Sequence, residues 1–395
     1  MIHSPVFALS LYALAVAVSA LILRMAPAAV QPSFQGSTGR HTAIDGLRGL
    51  LAYGVFIHHG VITWQYLHTG TWALPPSQLH VHLGQSSVAL FFMVTSFLFW
   101  NKVLTAGRRM DWREFVVSRL YRVYPVYAVT VAASLMLVMV STDFSVTGDV
   151  FGWVRALTGW ATFKTPAING MENAGQIVAY ATWSLPYELL FYSLLPALAF
   201  LVPSARQSRP ALLSLGMVLV VVWYYGRFSP AVLECFLGGF IAAYGVRRPG
   251  LVRLARSKLG LIVALAALTG TVAGFKSAYS PIPVLGLSVF FLAVAAGQDF
   301  GGLLTRRPVV WMGDVSYGVY LLHGLVLWTL FTANAPLRAA VLGNEPLFAV
   351  LLAGAGVVVI GLASLVHVAI ERPAVARGRT RRIRTQDADL SRVPV

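Results

Sequence analysis

An arginine and a histidine stand eleven positions apart in an apolar stretch near the start of the sequence, at Arg48 and His59. In an α-helix this spacing is about 20° from three full turns, so both side chains lie on one face, about 16 Å apart along the axis. A histidine can take up and return a proton, and an arginine can hold a phosphate or a carbonyl oxygen. A packing histidine and a topology anchor are the alternatives, but the shared face favours function. His58, about 80° around the helix, is more typical of a packing neighbour.

Two further arginines, Arg119 and Arg122, are spaced i, i+3 at the start of another apolar stretch. This spacing places both on one helix face, and such a pair can chelate phosphate oxygens. The alternative is the ordinary enrichment of arginine at cytoplasmic ends of spans, since Arg108, Arg109 and Arg113 lie just upstream.

Polar residues also occur inside two later apolar stretches. Glu188 needs a partner there, because an unpaired carboxylate is unfavourable in a membrane; an arginine, a histidine or a sugar hydroxyl would serve, and a structural ion pair is the alternative. Ser316, Tyr320 and His323 share a helix face at i, i+4 and i+7. A polar stripe of this kind can line a site or join helices by hydrogen bonds, and for His323 alone we favour the second role.

The composition indicates that a membrane protein positions these residues. Of the 395 residues, 57% are hydrophobic and 11% are charged, whereas a soluble domain carries about 25% charged residues. Apolar stretches of about 20 residues are typical of transmembrane helices. Candidate stretches lie at about 5–23, 47–66, 83–103, 120–141, 181–202, 211–226, 230–246, 259–275, 281–298, 310–332 and 347–369. We therefore predict an all-α fold, a polytopic membrane helical bundle of about 11 transmembrane helices.

The distribution of basic residues between these stretches predicts the orientation of the chain. The net charge of +16 would indicate nucleic-acid binding in a soluble protein, but here the basic residues lie between apolar spans, so no nucleic acid is expected. Arginine-rich loops alternate with loops that contain few basic residues, and basic loops face the cytoplasm. This predicts an N-terminus outside and a C-terminus in the cytoplasm. The single cysteine, Cys235, excludes an intramolecular disulfide.

Three regions follow from the spans. Residues 1–40 hold an extra N-terminal span and a cytoplasmic linker, residues 41–373 form the membrane-embedded domain, and residues 374–395 form a basic cytoplasmic tail. The first span ends in a small-residue sequence like a signal-peptide cleavage site, but no basic residue precedes it, so we expect it to be retained. The external loop at about 142–180 is rich in aromatic residues and can hold an interfacial helix. We find no P-loop, dinucleotide fingerprint or metal-ligand spacing.

Six motifs, taken in order, resemble those of the acyltransferase-3 family of integral-membrane acyltransferases. The most specific is Arg-x10-His, met by Arg48 and His59, and the second is Arg-x-x-Arg, met by Arg119 and Arg122. The others are Val88-Ala89-Leu90-Phe91-Phe92, Trp183-Ser184-Leu185 with Glu188 and Phe191-Tyr192, the segment from Ser316 to His323, and Glu371-Arg372-Pro373. The chain departs from the family at Ala89, where an acidic residue is frequent, and in its extra span beyond a ten-span core.

The resemblance implies a multi-pass O-acyltransferase of the bacterial inner membrane. Its donor would be cytoplasmic acetyl-CoA or another short acyl-CoA, with no metal. Its acceptor would be a hydroxyl of a cell-surface or lipid-linked glycan, such as a polysaccharide or lipopolysaccharide. The soluble domain that is fused to some members of the family is not seen in this chain, so the membrane domain would complete the transfer alone or with a periplasmic partner.

The resemblance also assigns residues to roles. Arg48 and His59 would be catalytic, His59 either as a general base on the acceptor hydroxyl or as a transient acyl carrier. Arg119 and Arg122, with Arg48, would bind the donor. The implied substrate-binding residues are Trp183, Glu188, Tyr192, Tyr320 and His323.

Two other functions fit parts of the pattern. A polyprenyl-glycan flippase or carrier without covalent chemistry would also have many spans and ionisable residues near the membrane midplane. An enzyme that acylates a small glycoside would keep the chemistry and change the acceptor. Consumption of an acyl-CoA thioester by the purified protein separates an enzyme from a flippase.

Overall fold

The structure, a computed structural model, describes residues 1–27 and 41–378. Their regular structure is helical, and these residues form no strand. The α-helices are α1 (Pro5–Met25), α2 (Thr42–Thr69), α3 (Gln78–Ala106), α4 (Trp112–Ser141), α5 (Val150–Ala161), α6 (Leu185–Phe200), α7 (Ser208–Tyr225), α8 (Pro230–Leu233), α9 (Cys235–Gly245), α10 (Pro249–Arg256), α11 (Lys258–Gly274), α12 (Pro281–Ala295), α13 (Arg307–Asp314), α14 (Ser316–Leu327), α15 (Ala335–Val341) and α16 (Glu345–Val366). The predicted linker at 28–40 and residues 379–395 of the predicted tail lie outside the described residues.

Every apolar stretch found in the sequence is helical in the structure, which confirms the prediction of an all-α polytopic membrane protein. In the described residues, six helices are long and apolar enough to cross a membrane, or seven with the bent pair Pro230–Gly245 and Pro249–Arg256. The six are Pro5–Met25, Gln78–Arg109, Trp112–Ser141, Ser208–Tyr225, Ser316–Ala333 and Glu345–Gly378. The predicted number of 11 is not confirmed. Two of the other stretches, α11 and α12, are apolar but only 17 and 15 residues long.

The long helix α2 lies among α3, α13 and α14. Its residues from Leu51 to Thr63 are all buried except His59, which is half-buried. A Cβ atom on Gly49 would lie 2.6 Å from the backbone nitrogen of Gly313, and a carbon and a nitrogen that are not bonded to each other cannot approach so closely. Glycine therefore lets α2 touch α13 backbone to backbone, as small residues do where membrane helices pack closely. This contact fixes the position of Arg48, one residue before Gly49, relative to α13.

Two helices of the bundle end in π-helical turns, α14 in Trp328–Ala333 and α16 in His367–Glu371. Turns of this kind are rare in proteins, and those that occur are often found at functional sites. The second one brings two ionisable side chains, His367 and Glu371, into the protein interior, where both are buried.

The chain between α5 and α6 enters the bundle as two 3₁₀ turns, Ala174–Val178 and Ala181–Ser184. We call residues 174–184 the inserted segment; it packs against α14. Its linking residues, Ala179 and Tyr180, have φ angles of +52° and +53°. Residues other than glycine adopt such angles only where the surrounding structure imposes them, commonly near functional sites.

The predicted external loop contains α5, a short helix with an exposed apolar face. Asp149 caps it, since its side chain accepts a hydrogen bond of 2.8 Å from the nitrogen of Gly152. Val150, Phe151 and Val154 are 80%, 75% and 56% exposed. An apolar face of this kind suits a helix that lies in a membrane interface.

Candidate active site

His59 is partly exposed, although it lies in the middle of a buried stretch of α2. Its neighbours along α2 are fully buried, His58 among them. Two contacts hold the buried His58 ring in place. Its Nδ1 lies 2.7 Å from the carbonyl oxygen of His80, and Gly84 packs against the ring. The structure therefore separates the two adjacent histidines, since His58 is held in packing and His59 remains partly exposed.

The His59 ring pairs with His323 of α14. Nδ1 of His59 lies 2.9 Å from Nε2 of His323, and the two rings are nearly parallel, with centroids 4.9 Å apart. Nδ1 of His323 lies 3.1 Å from the carbonyl oxygen of Val319. A carbonyl oxygen only accepts, so this Nδ1 carries a hydrogen and, in the neutral ring, Nε2 is the acceptor. His59 therefore donates from Nδ1, and within the part of the chain that the structure describes its Nε2 has no hydrogen-bond partner and keeps a free lone pair.

The free Nε2 makes His59 chemically competent as a base or a nucleophile. A catalytic base needs a lone pair directed at the reacting hydrogen and a partner that holds the tautomer. His323 is that partner. The sequence analysis favoured a role for His323 in hydrogen bonds that join helices. Helical spacing could not reveal its pairing with His59, which lies 264 positions earlier in the chain.

Arg48 lies on the same helix face as His59, towards the beginning of α2. Its Nη1 is 3.7 Å from a carboxylate oxygen of Asp45, and the side chain is partly exposed. It also acts electrostatically on Glu188 and on Arg122. Arg48 therefore faces the interior space between α2, α4 and α6, as the sequence predicts for an inward arginine.

Arg122 is held by a buried carboxylate. Its Nη1 forms an ion pair with Oε1 of Glu371, whose side chain is 1% exposed. The second oxygen of Glu371, Oε2, lies 2.8 Å from Nδ1 of His367. The structure thus joins α4 to the π-helical end of α16 through Arg122.

Arg119 has different surroundings from Arg122, although the two share a helix. Its guanidinium carbon lies 4.7 Å from the centre of the Phe99 ring. It acts electrostatically on Glu188 and interacts with Tyr192. Within the described residues, its buried Nε atom has no hydrogen-bond partner. Arg119 therefore has one buried donor that no described residue satisfies.

Glu188 has the partners that the sequence requires of a carboxylate in an apolar stretch. The Tyr192 hydroxyl donates to its Oε2 at 2.8 Å, and the Thr95 hydroxyl donates to its Oε1 at 3.5 Å. The nearby positive charges are those of Arg119 and Arg48. The structure groups Glu188 and Tyr192 with the arginines.

Two more of the predicted substrate-binding residues lie at the inserted segment. The Tyr320 hydroxyl donates to the carbonyl oxygen of Ala181 at 2.8 Å and lies 2.7 Å from the Ser184 hydroxyl. It therefore ties α14 to the inserted segment. Trp183 is 39% exposed and packs edge-on against Tyr187.

One aromatic residue close to His59 was missed by the sequence analysis. The indole ring of Trp72 lies almost parallel to the His59 ring, with centroids 6.3 Å apart. Trp72 belongs to the irregular chain between α2 and α3, where no helical spacing relates it to His59. Only the folded path of the chain brings the two together.

Comparison with known proteins gives a family match over most of the chain. The model of the acyltransferase-3 family, described as an acyltransferase domain, matches residues 41–365. These residues include every predicted site residue. No solved structure gives a significant match to the chain.

Three curated proteins illustrate the similarity. Nodulation protein 10 of Rhizobium leguminosarum bv. viciae is 26% identical over 333 residues, 76% of this chain and 86% of the relative. The exopolysaccharide production protein ExoZ of Rhizobium meliloti is 26% identical over 346 residues, 77% of this chain and 93% of the relative. The peptidoglycan O-acetyltransferase OatA of Listeria monocytogenes is 23% identical over 319 residues, 71% of this chain and 48% of the relative. This last match thus spans about half of the longer protein.

Proposed function

This chain belongs to the acyltransferase-3 family, and we propose that it transfers an acetyl or other short acyl group from acyl-CoA to a hydroxyl of a cell-surface or lipid-linked glycan. The observation that carries the proposal is the 2.9 Å pair of His59 and His323, which leaves a lone pair on an accessible ring nitrogen in the middle of the bundle. Relatives named for exopolysaccharide production and for peptidoglycan O-acetylation support a glycan hydroxyl as the acceptor.

The proposed step uses His59 as a general base. Nε2 of His59 takes the proton of the acceptor hydroxyl, and the oxygen attacks the thioester carbonyl carbon. The resulting tetrahedral intermediate collapses by breaking its carbon–sulfur bond. The CoA sulfur leaves with the proton that His59 holds, so the products are the ester and the free thiol of CoA. His323 accepts the hydrogen bond from Nδ1 throughout and favours the charged ring that forms between the two proton transfers.

The alternative route makes His59 a transient acyl carrier. Nε2 would then attack the thioester itself, and the acyl-imidazole would be transferred to the hydroxyl in a second step. Both routes need the same free nitrogen. The carrier route predicts that, without any acceptor, each protein molecule rapidly releases one CoA and keeps the acyl group on His59, whereas the base route leaves the protein unacylated.

The donor is proposed to enter from the end of the bundle where α2 begins. Arg48 lies about 16 Å along the helix axis from His59, and it lies on the same face. Arg119 keeps an unpartnered Nε among the described residues. We assign both to the phosphate and carbonyl oxygens of acyl-CoA, with Glu188 and Tyr192 holding Arg119. Arg122 acts indirectly in this scheme, because its guanidinium is paired with Glu371.

The proposed orientation places the acceptor side outside the cytoplasm. The positive-inside pattern puts the beginning of α2 at the cytoplasmic face of a bacterial inner membrane, with the N-terminus outside and the C-terminus inside. The acyl group then crosses the membrane through His59 while CoA stays on the cytoplasmic side. Trp183, the partly exposed aromatic residue of the inserted segment, contacts the glycan, and a periplasmic partner completes transfer where the final acceptor is distant.

The direct test measures thioester consumption by the purified full-length protein. The substrates are acetyl-CoA and the envelope polysaccharide of cells in which the gene is deleted, stripped of esters by mild alkali. We expect release of CoA thiol together with new esters on the glycan, and His59→Gln should abolish both. His68→Gln, an exposed position at the end of α2, is the control. Wild-type rates in His59→Gln would overturn the proposed mechanism, and absence of turnover in the wild type would overturn the proposed function.

A further inference from the structure

A cluster of three aromatic rings lies beside His59, and one of them, Trp72, contacts its ring. Trp72 lies almost parallel to the His59 imidazole, with centroids 6.3 Å apart. Tyr66 and Tyr180 approach the indole of Trp72 edge-on, at 5.8 Å and 5.9 Å. We call Tyr66, Trp72 and Tyr180 the aromatic rim. All three side chains are partly exposed, so the rim lies outside the fully buried core.

The rim continues the helix face that carries the catalytic pair. Tyr66 lies seven residues after His59, which is about 20° from two full turns. Arg48, His59 and Tyr66 therefore form one line along α2, with Tyr66 about 10 Å beyond His59. A substrate that enters over the rim reaches His59 from the end opposite to Arg48.

The other two rings are held in place by unusual backbone. Gly70 ends α2 with a φ angle of +68°, which turns the chain so that Trp72 returns over the helix. Tyr180 has a φ angle of +53°, and its nitrogen donates to the carbonyl oxygen of Gly175 at 2.8 Å. A Cβ atom on Gly175 would collide with the Tyr180 ring. The fold thus maintains a conformation that a tyrosine rarely adopts, as is common where a side chain serves a ligand.

The chemistry of the rim is aromatic and uncharged. Among the described residues, no hydrogen bond is formed by the hydroxyl of Tyr66 or of Tyr180. Burial raises the pKa of Tyr180, and the neighbouring Tyr66 adds to this effect, so the hydroxyl stays a hydrogen-bond donor at neutral pH. Rings with an apolar face and a polar tip bind ligands that have the same two properties.

From these observations we infer that the aromatic rim is the acceptor subsite, and that it binds a neutral pyranose ring of the glycan by stacking on Trp72 with hydrogen bonds to Tyr66 and Tyr180. A pyranose ring has an apolar C–H face for the indole and hydroxyls for the two phenols. The absence of charge in the rim argues against a phosphate or carboxylate at this position. This inference depends on the proposed function, since it specifies what His59 deprotonates.

The test separates acceptor binding from the other steps of the reaction. Steady-state rates are measured with acetyl-CoA and the alkali-treated envelope polysaccharide of gene-deleted cells, for wild type, Trp72→Ala, Trp72→Phe and Tyr180→Phe. We expect Trp72→Ala to raise the KM for the polysaccharide about tenfold or more and to leave the KM for acetyl-CoA unchanged. Trp72→Phe should recover part of the loss, because it keeps an aromatic face. Trp223→Ala, an 84% exposed position on α7, is the control.

Two results would overturn the inference while leaving the proposed function intact. In the first, Trp72→Ala keeps the wild-type KM for the polysaccharide. In the second, that KM is again unchanged, but Trp72→Ala also accelerates acetyl-CoA hydrolysis, which would mean that Trp72 excludes water from the site. Thermal unfolding of each variant shows whether it is folded, and Tyr180→Phe, which removes one oxygen atom, tests the rim if Trp72→Ala is unstable. Failure of the wild type to turn over would instead contradict the proposed function.

Discussion

Nε2 of His323 accepts a hydrogen bond from Nδ1 of His59, and the hydrogen on the other nitrogen of His323 is fixed by the Val319 carbonyl. Three groups on two helices therefore determine which nitrogen of His59 is free. This chain has a histidine where many catalytic histidines have a carboxylate, so His59 is oriented by a neutral acceptor.

Replacement of His323 tests this arrangement. His323→Ala removes this acceptor and leaves the backbone of Val55 as the remaining hydrogen-bond partner of the ring, so the tautomer of His59 is held less firmly. We expect kcat to fall about 10²- to 10⁴-fold, with little change in the KM for acetyl-CoA. His323→Gln retains a side-chain acceptor and should recover part of the rate. Equal losses in His323→Ala and His323→Gln, with unchanged unfolding temperature, would contradict the orienting role.

The Arg122–Glu371 pair predicts an effect on stability. Arg122→Ala leaves a buried carboxylate without its cation, which should lower the free energy of unfolding by about 3–5 kcal/mol. Adding Glu371→Gln to Arg122→Ala should restore part of the loss, because it removes the unpaired charge. Thermal unfolding in detergent measures both. The matched control is Lys102→Ala, since Lys102 forms a more exposed pair with Glu114 at 3.8 Å and should change stability by about 1 kcal/mol or less.

Replacement of Arg119 should weaken donor binding and leave stability unchanged, whereas replacement of Arg122 should lower stability. If its guanidinium binds acyl-CoA, Arg119→Ala raises the KM for acetyl-CoA, by about tenfold for a loss of about 1.4 kcal/mol. The KM for the polysaccharide and the unfolding temperature should stay close to those of the wild type. Steady-state kinetics with each substrate varied in turn give the answer. A large loss of stability with an unchanged KM for acetyl-CoA would instead assign Arg119 to the fold.

The glycine contact between α2 and α13 predicts that a single methyl group displaces Arg48. Gly49→Ala places a Cβ atom 2.6 Å from the nitrogen of Gly313, so the two helices must separate. We expect lower stability and a lower rate of acyl transfer. Gly354→Ala in α16 is the matched control, because a Cβ there meets no atom within 4 Å and alanine favours helix by up to about 1 kcal/mol. Activity and unfolding temperature of Gly49→Ala equal to those of Gly354→Ala would contradict the close contact.

Helical spacing and hydropathy determine much of this fold, because each depends on residues near one another in sequence. The eleven apolar stretches are helices, and the common face of Arg48 and His59 follows directly from the helical period. The requirement that Glu188 have partners also follows from its apolar surroundings. The number of spans does not follow from hydropathy alone. For example, α2 contains polar residues and is nevertheless surrounded by other helices of the bundle.

Contacts between distant parts of the chain account for what the sequence analysis missed. Arg119 and Arg122 lie three residues apart on one helix, yet Arg122 forms an ion pair with Glu371 and Arg119 acts electrostatically on Glu188. Their different partners come from α16 and α6, which helical spacing within α4 does not reach. Trp72 was missed for a related reason, since the backbone angle at Gly70 decides where the irregular chain goes.

The burial of α2 has a consequence for biogenesis. This helix carries Asp45, Arg48 and His59, and it is not among the helices of residues 1–27 and 41–378 that are long and apolar enough to cross a membrane. Its closest partners on the other side, α13 and α14, are translated about 260 residues later. An ionisable helix is stable in a membrane only when other protein surrounds it. We therefore expect insertion of α2 to be completed only after the ribosome has made the C-terminal third of the chain, and a truncated chain that lacks α13 and α14 should be recognised by membrane quality-control proteases.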